Sequence, residues 1–171
     1  LATYPLAYTS GSVRLDQLPE GNIGVFYPLQ SFSKNRTIAL SEVPFFIEAR
    51  NADLGDLLFQ LAKILSPHVD FADSEQRRHM HLAAVWINNF TNHMVFQAQE
   101  YAEAHAIQPE VFLPLLKETI AKLETLSARD AQTGPARRGD LHVLAQHEAA
   151  LSGAAKEMYQ LISRSILETY K

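Results

Sequence analysis

From His79 to Gln99 the chain reads His-Met-His-Leu-Ala-Ala-Val-Trp-Ile-Asn-Asn-Phe-Thr-Asn-His-Met-Val-Phe-Gln-Ala-Gln, without one Asp, Glu, Lys or Arg. Exposed helix faces carry Lys and Glu, and plain cores carry few amides or imidazoles, so this helix suits neither open surface nor an ordinary interior. At about 100° per residue, His81, Asn88, Asn92 and Gln99 fall within roughly 20° of one line. Ser74 and Arg77 continue that line toward the helix start, and Ala83, Trp86, Phe90 and Met94 take the opposite side. A buried polar group left unpaired costs about 1–3 kcal/mol, so such a stripe needs water, partner side chains or a ligand. The plain alternative is a polar face in solvent, as on most amphipathic helices. The missing charge points instead to the wall of a cleft or a subunit interface. The histidines and amides do not suit hydrocarbon, which excludes a membrane span.

A chain of 171 residues with 47% hydrophobic and 20% charged residues has room for one good core or two small ones. Its formal charge of −4 gives no support to nucleic-acid binding, which needs a basic patch. The absence of cysteine excludes disulfides, thiolate metal sites and a Cys nucleophile, and fits a cytoplasmic home. No signal peptide, spanning segment, low-complexity run or internal repeat is visible. The chain opens at Leu1 with no initiator Met and enters a strand-like segment at Tyr4, which reads as a fragment or a processed chain.

The first third is strand-like and the remainder helical. Leu6-Ala7-Tyr8-Thr9, Ile23 to Tyr27 and Phe45-Phe46-Ile47-Glu48 are short, nearly continuous apolar runs, as expected of strands covered on both faces. From Asp53 to Leu65 the period becomes helical, with Leu54, Leu57, Leu58, Leu61, Ile64 and Leu65 on one side. His68-Val69-Asp70-Phe71 then reads as another strand, making an α/β unit. Asp73 caps the long helix, with Gln76 at the capping-box position, and that helix extends to about His105. Pro109 opens the next, whose buried face is Phe112, Leu115, Leu116, Ile120 and Leu123, with a kink or late start at Pro114. Gln132 to Gly139 is a loop, Asp140 caps a helix to about Leu151, and the last helix runs from Gly153 to Tyr170. The second half is therefore a bundle of about four helices.

Two segments carry chemistry besides the stripe. In Gln132-Thr133-Gly134-Pro135-Ala136-Arg137-Arg138-Gly139-Asp140, the glycines allow close backbone approach, and Arg137 and Arg138 offer forked donors for carboxylate or phosphate. A solvated connector with surface arginines would look the same. Ser10-Gly11-Ser12 at a strand end could present backbone donors, or be an ordinary turn. No histidine spacing suits a metal, and no GxSxG, GxGxxG or Walker A motif occurs.

Six ordered segments resemble a family of Rossmann-like proteins taken for NAD(P)-dependent oxidoreductases, whose C-terminal part is catalogued as a domain of unknown function. They are Tyr8-Thr9-Ser10-Gly11-Ser12, Gly24 to Ser33, Val43 to Glu48, Asp73 to Arg78, Asn89 to His93, and Gln132 to Arg137. The resemblance covers essentially the whole chain. It implies that the glycine-rich cofactor loop lies in an absent N-terminal third. It also implies distant kinship with pyrroline-5-carboxylate reductase, prephenate dehydrogenase, deazaflavin-dependent NADP reductases and β-hydroxyacid dehydrogenases.

On that resemblance, the fold is α/β plus all-α. Residues 1–72 are the last strands of a Rossmann-like nucleotide-binding domain. Residues 73–171 are a helical substrate and dimerisation domain of the 6-phosphogluconate dehydrogenase C-terminal type. Thr9, Ser10, Gly11 and Gln30 would face NADP or NAD, and the long helix would cross the cleft with its stripe toward a small-molecule substrate. Two departures matter. The lysine that β-hydroxyacid dehydrogenases carry one turn before an Asn is replaced by Ala84 or Val85, and the His-Pro of many members is Tyr27-Pro28. His81 then remains as general acid/base, since imidazoles exchange protons near neutral pH. A core histidine bonded to a neighbouring amide is its bland counterpart. Asn88 and Asn92 would orient substrate, Gln132, Thr133, Arg137 and Arg138 would hold it, and no metal is expected. The reaction expected is hydride transfer to or from a small carbonyl, imine or hydroxy compound. The alternative is a non-catalytic ligand-binding or homodimerisation module.

Overall fold

The computed structural model describes residues 4–171; Leu1, on which the expectation of a fragment rests, lies outside them. Contacts divide the chain into a first unit ending at Met94 and a second unit, Val95–Lys171.

The first unit is α/β. Strands β1 (Leu6–Tyr8), β2 (Ile23–Pro28), β3 (Phe45–Ala49) and β4 (Val69–Phe71) form one sheet in sequence order. Pairs β1–β2 and β3–β4 are parallel, whereas β2 and β3 run antiparallel, with Pro28 opposite Phe45 and Gly24 opposite Ala49. The sheet is mostly parallel, as in a Rossmann-like fold, with this one reversal. Residues 29–44 connect β2 to β3, and Leu29 N–H donates to Pro44 O at 2.9 Å, closing the base of that long excursion.

Helix α1 (Ala52–Leu65) starts where the Asn51 side chain accepts from Leu54 N–H. It packs Leu54, Leu58 and Ala62 against Val43, Phe45 and Ile47 of the sheet. The approach is close, because a Cβ on Gly24 would stand 2.7 Å from Leu58 Cδ1. Only part of the expected apolar side is buried. Leu57, Leu61 and Ile64 are exposed, since one sheet face accepts a single helical stripe and these residues lie beside it. Coverage on both faces holds for the centre of the sheet only: Leu6 of β1 and Phe71 of β4 are exposed among the described residues.

The long helix appears where expected but is not uniform. Helix α2 (Ser74–Ala84) begins at Asp73, whose side chain accepts from Glu75 and Gln76 N–H while Gln76 returns a bond to Asp73 N–H. A π-helical segment, Val85–Phe90, separates it from α3 (Thr91–Ala104). The boundary between the two contact units falls within α3, because α2 is bound to the sheet by the contacts described below.

In the second unit, a 3-10 turn at Pro109–Phe112 precedes α4 (Leu113–Lys122), the late start that Pro114 leads one to expect. Two short helices follow, α5 (Ala128–Ala131) and α6 (Pro135–Arg138), the second within the expected loop from Gln132 to Gly139. Helix α7 (Leu141–Ala149) is capped by Asp140 accepting from Val143 N–H, and α8 (Gly153–Thr169) ends the chain. His147 Nδ1 lies 2.8 Å from Tyr159 Oη, and Gln160 Nε2 donates to Glu148 Oε2 at 2.7 Å, fastening α7 to α8. The predicted buried face of α4 is corrected: Phe112, Leu115, Ile120 and Leu123 are exposed, since no described element covers that side. No described helix is long and apolar enough to cross a membrane, and no described cluster of His, Asp or Glu could hold a metal ion.

Candidate active site

Because β1 and β2 are parallel, both deliver their C-terminal ends to one rim of the sheet. Beyond β1, Ser10 Oγ accepts from Ser12 and Val13 N–H, each at 3.3 Å, which folds the Ser10-Gly11-Ser12 turn back on itself. Gly11 is buried against the phenol of Tyr27: a Cβ there would lie 2.7 Å from Tyr27 Cζ and 2.8 Å from its Oη. Only glycine lets the turn approach the ring this closely. Tyr27 is 7% exposed, and its Oη stands 3.4 Å from His81 Nδ1. The two rings meet edge-on, with centroids 6.5 Å apart. Burial pushes the Tyr27 phenol above its ordinary value, and the positive charge of Arg77 pulls partly against that.

Helix α2 reaches this rim from an anchor at its first turn. Arg77 is fully buried, and its Nη2 donates to Glu48 Oε2 at 2.7 Å and to Val13 O at 2.9 Å. Ser74 Oγ donates to the Glu48 carboxylate at 2.8 Å and accepts from Leu15 N–H at 2.9 Å. Glu48, Ser74 and Arg77 together thus tie β3, the segment after Gly11 and the start of α2. Arg77 Nε is left without a partner among the described residues. Arg77 precedes His81 by one helical turn, so this latch sets the rotation of the helix that carries the imidazole.

The expected stripe does not survive as one line. The i→i+5 bonding of the π-helix adds about one residue to the turn, which rotates later positions by roughly 100° relative to His81. Ser74 and Arg77 are spent in the latch, whereas Asn88, Asn92 and Gln99 are exposed. Thr9 and Gln30 are exposed near the rim, and Gln30 Oε1 accepts from Ser31 N–H at 2.8 Å. Of the proposed cofactor and catalytic residues, the structure brings together Ser10, Gly11 and His81, and adds Tyr27.

The other predicted set lies wholly in the second unit. Gln132, Thr133, Arg137 and Arg138 border an open cavity of about 780 Å³ that also meets the end of α8, and no acidic side chain lines it. Arg137 stacks over Tyr170 at 4.3 Å, while Tyr170 Oη donates to Arg129 O at 2.6 Å. Gln132 Nε2 donates to Thr133 O at 2.9 Å.

Residues 43–166 match the family described as a domain of unknown function, DUF2520. The chain belongs to that family. A crystal structure from Bacteroides fragilis, described as a "putative NADP oxidoreductase", is 43% identical over 95% of this chain, with a TM-score of 0.90. The chain spans 64% of that protein's length. A Thermotoga maritima protein is 19% identical over 97% of this chain and 68% of its own, with a TM-score of 0.78, which speaks for the fold alone. No curated protein matches the chain.

Within the DUF2520 region the match takes in the Glu48–Ser74–Arg77 latch and His81, while Tyr27 and Gly11 precede it. Sequence reasoning treated Tyr27 only as a lost histidine and passed over Glu48. A carboxylate closing the apolar run Phe45-Phe46-Ile47 was the available signal, because a charge there needs a partner.

Proposed function

We propose that this DUF2520 chain is part of an NAD(P)-dependent oxidoreductase that transfers hydride to or from a small carbonyl, imine or hydroxy compound. The observation that carries this reading is the Tyr27–His81 pair on the rim formed by the ends of β1 and β2. Ligands of open α/β sheets bind beyond the carboxyl ends of strands, and an imidazole there can hydrogen-bond a reacting oxygen or nitrogen. The likeness to the Bacteroides fragilis protein supports the cofactor class.

The residues present fit only one end of a dinucleotide. The rim offers Thr9, Ser10 and Gln30 at the strand ends and the Gly11 backbone against the Tyr27 ring, polar groups without a net charge that suit a nicotinamide. Arg14, the nearest cation in sequence to that turn, is committed to Asp16 at 2.7 Å. The sequence has no GxGxxG turn, and pyrophosphate recognition is not assigned to these residues. Bound nicotinamide would supply or accept the hydride. His81 is assigned the contact with the reacting oxygen or nitrogen, and Asn88 and Asn92 the orientation of substrate. In the second unit, Gln132, Thr133, Arg137 and Arg138 are the proposed anion-binding set. Its helices are proposed to be a bundle of the 6-phosphogluconate dehydrogenase C-terminal type.

The test is NADPH and NADH oxidation by the full protein against a panel of small keto and imino acids. His81→Ala is expected to lower turnover by about 10²–10⁴-fold with folding unchanged. An unchanged rate removes His81 from the mechanism.

A second reading, a homodimerisation module without catalysis, is favoured by the apolar surface of the π segment, where Trp86 is 64% and Ile87 76% exposed. A tight dimer by light scattering, with no nicotinamide binding by the full protein, would select it.

A further inference from the structure

We infer that Tyr27 is a positioning residue that fixes the tautomer of His81. It leaves the imidazole with its proton on Nε2, so that it offers substrate a hydrogen-bond donor. The inference rests on the reading above for its catalytic meaning, but its structural content stands without it.

Tyr27 is buried, and the bond found for its hydroxyl is to His81 Nδ1. Gly11 blocks the phenol from swinging away on one side, since even a methyl group there would overlap the ring. The helix bearing His81 is held one turn earlier by Arg77, Glu48 and Val13 O. Both partners are therefore placed by rigid elements rather than by a mobile loop. Burial keeps this phenol protonated, and its O–H is satisfied when it donates to the His81 Nδ1 it faces at 3.4 Å. A neutral imidazole facing such a donor accepts through Nδ1, and its own proton then resides on Nε2.

The consequence concerns substrate class. With Nε2 carrying the proton, the neutral ring donates to a lone pair and cannot accept a proton there. A carbonyl oxygen satisfies such a donor. The site is accordingly built to polarise a carbonyl through a neutral Nε2–H donor while hydride adds to the carbonyl carbon, and the alkoxide that results takes its proton from solvent water. Tyr27 touches His81 and acts through it.

The experiment uses the full protein labelled with ¹⁵N-histidine, observed at about pH 8.5, where an ordinary imidazole is neutral. His81→Gln identifies the resonance. The expected pattern is a protonated Nε2 and a bare, hydrogen-bonded Nδ1 in the wild type. Tyr27→Phe should give averaging between tautomers. A wild-type spectrum with the proton on Nδ1, or a pattern unchanged in Tyr27→Phe, overturns the inference. If Tyr27→Phe does not fold, the wild-type spectrum still decides, and Gly11→Ala displaces the phenol by a separate route. In turnover assays, His81→Gln, which keeps an N–H donor, should retain at least 10-fold more carbonyl reduction than His81→Ala; equal loss in both overturns the donor role. Absence of any turnover would refute the oxidoreductase reading and leave the spectrum to judge Tyr27.

Discussion

Arg77, fully buried, places its Nη2 2.7 Å from Glu48 Oε2, and this one ion pair joins the third strand to the helix that carries His81. Removing one partner of a buried pair leaves an uncompensated charge. Glu48→Ala should therefore lower stability by about 3–5 kcal/mol. Replacing both, as Glu48→Gln with Arg77→Met, should cost clearly less than Glu48→Ala alone. Urea unfolding of the three proteins checks the order.

The closeness of Gly11 to Tyr27 gives a steric prediction. Gly11→Ala puts a methyl group 2.7 Å from Tyr27 Cζ, so ring or turn must move. Overpacking of this kind costs about 1–3 kcal/mol. Thermal unfolding should show that loss, together with a fall in turnover matching that of a displaced phenol. Normal stability with normal turnover would show that the rim yields freely.

Alkaline titration tests the burial of Tyr27. Its folded value lies above the ordinary 10.0, so the folded chain holds the phenolic proton after the unfolded chain has lost it. This contribution to stability is complete below about pH 10 and is lost as pH rises through the folded value. The wild type should show a late-ionising tyrosine by absorbance, and Tyr27→Phe should lack it.

The capping box at the start of α2 predicts a smaller effect. Asp73→Ala removes acceptors for Glu75 and Gln76 N–H and should cost about 1 kcal/mol. Asp73→Asn should recover most of it, as read by denaturation midpoints.

The cavity of the second unit should respond to anions. Adding inorganic phosphate or acetate is expected to move the amide resonances of Thr133, Gly134 and Gly139. Arg137→Ala combined with Arg138→Ala should abolish those shifts. Arg137→Lys should keep the charge but lose the forked donors and the stacking on Tyr170, and so restore little.

Much of the frame was legible because its signals are local. Asp73 with Gln76, Asp140, Pro109 and Pro114 act through the nearest backbone groups, so sequence alone placed these helix starts. Direction was not legible: the apolar run Phe45-Phe46-Ile47 looks the same whichever way it pairs with β2. The π segment was hidden too, since nothing in Val85-Trp86-Ile87-Asn88-Asn89-Phe90 announces i→i+5 bonding. That is why the ideal 100° spacing linked His81 with Asn88. The Tyr27–His81 pair joins residues 54 apart in the chain, and no pattern of spacing encodes such a meeting.

The reversal of β3 has a last consequence. A chain passing between antiparallel neighbours needs only a short hairpin, yet here residues 29–44 leave and return beside Tyr27, their ends clasped by Leu29 and Pro44. Phe32 stands exposed on that excursion. Because the clasp, and not the excursion, holds the two strand ends together, replacing Phe32 should leave the sheet's stability nearly untouched.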